Sequence, residues 1–436
     1  MRQAWIYLVA ASALIAPLAA TPSHARPAKA AAPKTGARSG TETVTLDRAR
    51  IDRALQSMVA NGRVAGVEAT IWQHGAERYY GAFGDADREA KRPFGRDTLV
   101  QIFSMTKPIT GVALMQLWEQ GKFSLDDPLS RYLPEFANVS VYGGKDARGT
   151  MILRGPSRPI LIRDIMRHTA GFIYHPGDTP FDAIIKADDP LALANTLPEF
   201  GQKLARLPLM FDPGSQWRYS AAVDVQALLV QKLSGVAFED YVHTHIFEPL
   251  GMTQSAWTQP AANRSRFAWA YRPGPDGKLV RWSDQEALSL NFLPKKLTQG
   301  GAGVATTIGD YARFARMLLG NGTLDGVQIL KPATIRLMTT DQIDPRITER
   351  FFLPSKGNLG FGLDFAVRKG PPLSPEENRG ATGEFFWDGA ASTLFWVDPA
   401  NDLVAVFFVQ KSFDGTLHHD FRAAVYGPDY VGPPAR

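Results

Sequence analysis

The sequence predicts an α/β chain of the α+β kind, with an antiparallel sheet flanked by helices and an inserted, mostly helical lobe. Three observations predict it. Runs that read as strand pairs stand near both ends of the chain, helical patterns dominate the middle, and no internal repeat occurs. At 436 residues the chain is long for one core and suits two lobes or one large composite body. Hydrophobic residues make up 44% and charged residues 21%, the composition of an ordinary globular protein.

The elements follow in chain order. "LDRARIDRALQSMVANG" sets Leu46, Ile51, Leu55 and Val59 at helical spacing, with Gly62 as the stop. "GVEATIWQHGAERYYGAFG" reads as two short strands joined at His74-Gly75. From Pro108 to Leu250 helices dominate. "LIRDIMRHTAGF" and "DVQALLVQKLSG" are amphipathic and end at Gly171 and Gly235, and the loop-rich insertion "NVSVYGGKDARGTMILRGPSRP" interrupts them. "TTIGDYARFARMLLGNG" has a Thr/Asp-rich helix start and a glycine stop. "AASTLFWVDPANDLVAVFFVQ" gives two antiparallel strands around Asp398-Pro399-Ala400-Asn401, and "LHHDFRAAVYG" closes the chain as a helix. The terminal strands most simply join one sheet. That puts the sheet lobe at about 45–115 and 300–426 and the helical lobe at about 116–299, inside one domain over 45–426.

The N-terminus reads as an address. Met1-Arg2-Gln3 is a positive start, Ala4 to Ala20 is apolar, and Ser23-His24-Ala25 offers small residues to a signal peptidase, with cleavage after Ala25. The apolar stretch is short for a membrane span and a processing site follows it, so no stable membrane anchor is expected. Residues 1–25 are then a signal peptide and 26–44 a flexible linker of Ala, Pro, Lys, Gly and Ser. The expected location is periplasmic or secreted. The formal charge of +5 is spread without long runs, so no nucleic-acid partner is expected. The absence of cysteine excludes disulfides, lipid attachment at a thiol, a thiol nucleophile and zinc–thiolate sites.

No G-x-S-x-G occurs, so the nucleophile elbow of α/β-hydrolases is absent. The His243/His245 and His418-His419 pairs lack metal-ligand spacing. The chemistry points instead to "QIFSMTKPITGVALMQLWEQGK". If Ser104 opens a helix, Lys107 lies one turn on and on the same side, and the helix N-terminus supplies N–H groups for an oxyanion. Pro108 fits the first turn, and the apolar continuation predicts a buried helix. A bland alternative is an N-cap serine beside a solvated lysine. Two further stretches accompany the first. "PGSQWRYSAAVDVQALL" places Tyr219 after a Pro-Gly turn at a helix start, and "GEFFWDGAASTLFWVDP" places Trp387-Asp388-Gly389 at the start of a strand. Taken alone, Tyr219 also reads as a packing aromatic and Gly389 as a strand kink.

Together these residues resemble the serine β-lactamase and penicillin-binding protein superfamily, and within it the class C β-lactamase-like family VIII carboxylesterases. The likeness runs from about Thr45 to Tyr426 and includes "IRDIMRHTAGF", "FEPLGM", "GGAGVATTIGDYARFARMLLGNG" and "GFGLDFAV". The resemblance implies the β-lactamase/DD-peptidase-like fold with the site between its lobes. It implies Ser104 as nucleophile, Lys107 as base and Tyr219 as proton shuttle. The N–H groups of Ser104 and Ala390 would form the oxyanion hole, and Trp387 and Gly389 would line the substrate. The second motif reads Tyr219-Ser220-Ala221, with Ala where the lactamases have Asn, and Trp387 replaces their Lys. Asp388 should point opposite to Trp387 and is given a structural role.

The resulting expectation is an exported serine hydrolase that cleaves short-chain esters through an acyl-enzyme, without metal or cofactor. Its partner is a small-molecule ester or amide. The alternatives are a D-amino-acid peptidase or weak β-lactamase, and a catalytically silent penicillin-binding-like module. With Trp387 in place of a cation and Asp388 adding negative charge, anionic substrates are expected to be disfavoured.

Overall fold

The first and last strands among the described residues pair with each other. In the computed structural model, which describes residues 44–174, 180–427 and 429–430, β1 (Gly66–Gln73) runs antiparallel to β8 (Leu403–Val409), with Val67 opposite Val409 and Gln73 opposite Leu403. The expected signal segment and nearly all of the linker lie outside the described residues. The other strands of this sheet are β2 (Ala76–Asp87), β3 (Arg92–Pro93), β4 (Leu359–Phe361), β5 (Ala366–Arg368), β6 (Phe385–Asp388) and β7 (Leu394–Asp398). The sheet order is β4-β5-β6-β7-β8-β1-β2-β3, and every neighbouring pair is antiparallel. The β1–β2 hairpin turns at His74 and Gly75, with φ of 52° and 72°, the two left-handed positions that a two-residue hairpin needs.

All seven residues of β8 are buried, because helices cover both faces of the sheet. The period-two alternation of the strands sorts the aromatic residues. Phe407 and Trp396 meet Phe421 of α5 (Gly415–Tyr426), with ring centroids 4.8 and 5.5 Å apart. Phe395 faces the opposite way, toward Tyr311 of α4 (Ile308–Leu319), at 5.1 Å. Helix α1 (Arg48–Ala60) buries Ile51, Leu55 and Met58 beside α5, and its start is capped by Asp47, which accepts from the Arg50 N–H.

Between these parts lie α2 (Thr106–Glu119), buried on nearly every face as its sequence predicts, and α3 (Ala222–Ser234), which packs against it and ends at a left-handed Gly235. The segment Gly300-Gly301 runs between the two helices. A Cβ on Gly300 would stand 2.4 Å from the Val223 carbonyl, so glycine is what permits the approach.

Three local expectations change. The helix in "LIRDIMRHTAGF" covers only Ile162–Met166. Asp164, fully buried, draws Arg158, Arg167 and Thr169 onto its carboxylate, and the chain turns at His168 with φ of 57°. The loop-rich insertion folds into a hairpin, Val141–Lys145 against Met151–Arg154. Trp387 and Asp388 end β6 instead of starting a strand, and Gly389 begins the turn to β7.

Candidate active site

Ser104 is set by the elements on either side of it. Val100 and Gln101 pair with Thr306 and Ala305, and the Ile102 N–H donates to the Val304 carbonyl at 3.0 Å. Phe103 then takes a left-handed φ of 45°, strained for an aromatic residue, and the chain winds through a single 3₁₀ turn, Phe103–Met105, into α2. Ser104 stands in that turn, half-buried, with Lys107 in the first turn of the helix.

Lys107 is 1% exposed, and its Nζ donates to Ser104 Oγ at 3.2 Å and to the Gly301 carbonyl at 2.7 Å. Burial pushes its pKa down to about 8, against the pull of the Asp224, Asp364 and Asp388 charges. Asp224 lies on α3 and accepts from the Gly301 N–H at 3.0 Å, while its second oxygen has no partner among the described residues. Burial raises its carboxyl. A Cβ on Gly301 would lie 2.8 Å from Asp224 Oδ2 and 3.1 Å from Lys107 Nζ, so glycine is what allows lysine and acid to share this corner. Asp364, also buried, accepts from Gln226 Nε2 at 3.0 Å and packs against Gly111, one turn further along α2.

Tyr219 comes to the same place from the irregular segment just before α3. Lys107 Nζ is 4.5 Å from its ring centroid. Its hydroxyl is buried and makes no hydrogen bond of normal geometry, with Ser104 and Trp387 as the polar groups facing it. Burial holds the phenol well above its ordinary pKa. Around the ring stand His168 at 4.8 Å, Trp387 at 5.4 Å, Tyr174 at 5.5 Å and Phe352 at 5.6 Å. His168 meets Ser220 Oγ through Nδ1 at 3.2 Å, and burial pushes its imidazole well below the usual value. The imidazole is therefore neutral and acts as a wall.

The end of β6 closes the site from the other side. A Cβ on Gly389 would lie 2.5 Å from the carbonyl of Ile102, two residues before Ser104, so only glycine brings this turn so near. The turn is stiff. The Gly389 N–H donates to the Thr393 carbonyl at 2.9 Å, the Ser392 N–H donates back to Gly389, and His418 holds the Ser392 carbonyl at 3.0 Å. The half-exposed Ala390 in between has a backbone N–H with no partner among the described residues. Trp387 is 1% exposed, with its indole N–H unpartnered.

The structure thus brings Ser104, Lys107, Tyr219, Trp387, Gly389 and Ala390 to one place. Sequence reasoning missed Asp224, Asp364, Gly301 and His168. The signal for Asp224 was a lone acid inside the apolar run "VDVQALLV". It also missed Lys356, whose Nζ donates to Asp388, so that Asp388 is not the bare negative charge that the sequence implied.

The chain is similar to known proteins over most of its length. Protein Rv1367c of Mycobacterium tuberculosis is 34% identical, over 84% of this chain and 90% of its own length. Esterase EstB of Burkholderia gladioli is 28% identical, over 87% of this chain and 95% of its own. Among solved structures, EstCE1, described as a hydrolase with promiscuous acyltransferase activity, superposes with a TM-score of 0.73 at 27% identity, covering 87% of this chain and 98% of that one. No helix among the described residues is long and apolar enough to cross a membrane. The Beta-lactamase family model matches residues 51–426, from the first buried turn of α1 to the last residue of α5, and this chain belongs to that family as a serine hydrolase.

Proposed function

We propose that the protein is an exported hydrolase that cleaves short-chain carboxylic esters through an acyl-enzyme on Ser104. The observation that carries this reading is the buried Lys107 ammonium, 3.2 Å from Ser104 Oγ and lowered to about 8. An unperturbed lysine offers roughly one neutral amine in 2,500 at pH 7, whereas a group titrating near 8 offers about one in ten. Tyr219 is a poor rival for the base, because burial raises its pKa. Its neutral hydroxyl suits a shuttle.

In this reading neutral Lys107 takes the Ser104 proton, and Oγ attacks the ester carbonyl. The carbonyl oxygen gathers charge against the N–H groups of Ser104 and Ala390. The C–O bond to the alcohol breaks, and the proton held at Lys107 passes through Tyr219 to the leaving oxygen. Water then attacks the acyl-serine, gives a proton to Lys107, and the acid departs as Ser104 regains its hydrogen. The names of EstB and EstCE1 support an ester substrate. Transfer of the acyl group to an alcohol is a second outcome of the same intermediate. The name of EstCE1, a hydrolase with promiscuous acyltransferase activity, supports it.

A fluorophosphonate probe tests the reading. Labelling at Ser104, lost in Ser104→Ala together with butyrate-ester hydrolysis, is the expected result. A folded protein that neither labels nor hydrolyses would be a silent binding module. Faster turnover of a D-peptide or a cephalosporin than of a butyrate ester would replace the esterase reading with one of the other two.

A further inference from the structure

The end of β6 carries an ion pair that the proposed chemistry does not use. Asp388 Oδ2 accepts from Lys356 Nζ, and the two side chains are 11% and 12% exposed. His418 Nδ1 lies 3.8 Å from the same oxygen, but burial pushes its pKa down to about 4, so it is neutral at neutral pH and Lys356 is the cation in direct contact with the acid. The nearby Lys411 and Asp414 pair with each other.

The Lys356 ammonium is seated among three rings. It lies 5.1 Å from the centroid of Phe413, 5.4 Å from Trp387 and 5.7 Å from Phe352. Trp387 and Phe352 also flank Tyr219, at 5.4 and 5.6 Å. The ammonium is thus one ring away from the phenol at the reaction centre. A cation held over aromatic faces and largely out of water keeps its position without an acid partner and binds an anion strongly. Here the anion is supplied by the chain itself, two residues before Ala390.

Resting on the ester-hydrolase reading, we propose that Asp388 is an internal carboxylate that fills the anion position of Lys356. It thereby restricts the enzyme to esters that carry no negative charge near the scissile bond. Asp388 and Lys356 are specificity residues in this assignment. They set which substrate enters without taking part in bond making.

The test compares kcat/KM for matched neutral and anionic esters in two arms. One arm places the carboxylate on the acyl half, as para-nitrophenyl hemiglutarate against para-nitrophenyl valerate. The other places it on the alcohol half, as the butyrate ester of para-hydroxybenzoate against phenyl butyrate. Asp388→Asn keeps the size of the side chain and an oxygen for Lys356. In at least one arm it should raise the anionic-to-neutral ratio about ten- to hundredfold, the worth of one charge-assisted hydrogen bond. The arm that responds identifies the half of the ester that faces Lys356. Adding Lys356→Met should return the ratio to the wild-type value, and high salt should shrink the gain.

Equal changes in the neutral and anionic rates would make the pair a structural latch and overturn the proposal. Asp388→Ser is the second variant, and loss of a cooperative melt in both variants would overturn it in the same way. Wild-type protein that hydrolyses no neutral ester would sink the esterase reading itself. Hydrolysis with an unmoved ratio would sink only the role of Asp388.

Discussion

Burial sets the pKa of Lys107, and that pKa sets the working pH. With the group lowered to about 8, kcat/KM for a neutral ester should climb from pH 6 and level off above about pH 8, as the ammonium loses its proton. Asp224 pulls the other way, since its charge favours the ammonium. Asp224→Asn should therefore move the rising limb to lower pH. A limb that stays in place or moves up would show that Asp224 does not act on the lysine. Lys107→Ala and Tyr219→Phe should each lower acylation by about 10²–10⁴-fold, the range for a general acid–base group. The double variant should lose much less than the product, because both serve one proton path. Multiplying losses would separate them. Ser104, Lys107 and Tyr219 were legible because each sits in a short local pattern. Asp224 reaches the lysine through the packing of α3 on α2, and Asp364 reaches it from the turn between β4 and β5, neither of which spacing within one segment reveals.

At the scale of elements, the site depends on close approach between backbones. Gly389 lets the β6–β7 turn lie against Ile102, just before the turn that carries Ser104, with an added Cβ only 2.2 Å from Thr393 Oγ1 and 2.5 Å from the Ile102 carbonyl. Gly389→Ala should push the turn away and lower kcat far more than it raises KM, because the displaced Ala390 N–H acts on the transition state. Overpacking of this kind costs about 1–3 kcal/mol, so a melt can separate a folded, slow variant from an unfolded one. The helices with a single apolar stripe or a clear stop, α1, α3 and α4, were readable from periodicity. The short helix Ile162–Met166 was not. Its apolar spacing continues past Met166, but Asp164 gathers Arg158, Arg167 and Thr169, and those bonds end the helix early.

For the whole molecule, the pairing of terminal strands was legible because both ends showed short apolar runs with turn residues between them. The hairpin in the insertion was hidden by its glycines, and Lys356 lies in a stretch without regular pattern before β4. Export belongs to this scale as well. In a bacterial host with a general secretory pathway, the mature protein should begin at Arg26, by intact mass and N-terminal sequencing of a periplasmic fraction. A full-length cytosolic product starting at Met1 would contradict the proposed address.

The β1–β8 pairing also dictates the order of assembly. As the chain emerges from its N-terminus, β1 and β2 can form a hairpin at once, but the other edge of β1 stays open until Leu403–Val409 is made. Closing so long a loop is entropically costly and kinetically late. During synthesis β1 therefore presents unpaired backbone groups, which another copy of the chain could pair with. The same delay keeps the chain threadable. A polypeptide that cannot complete its central sheet until Leu403–Val409 is made would stay open enough to thread a narrow pore, as the proposed export requires.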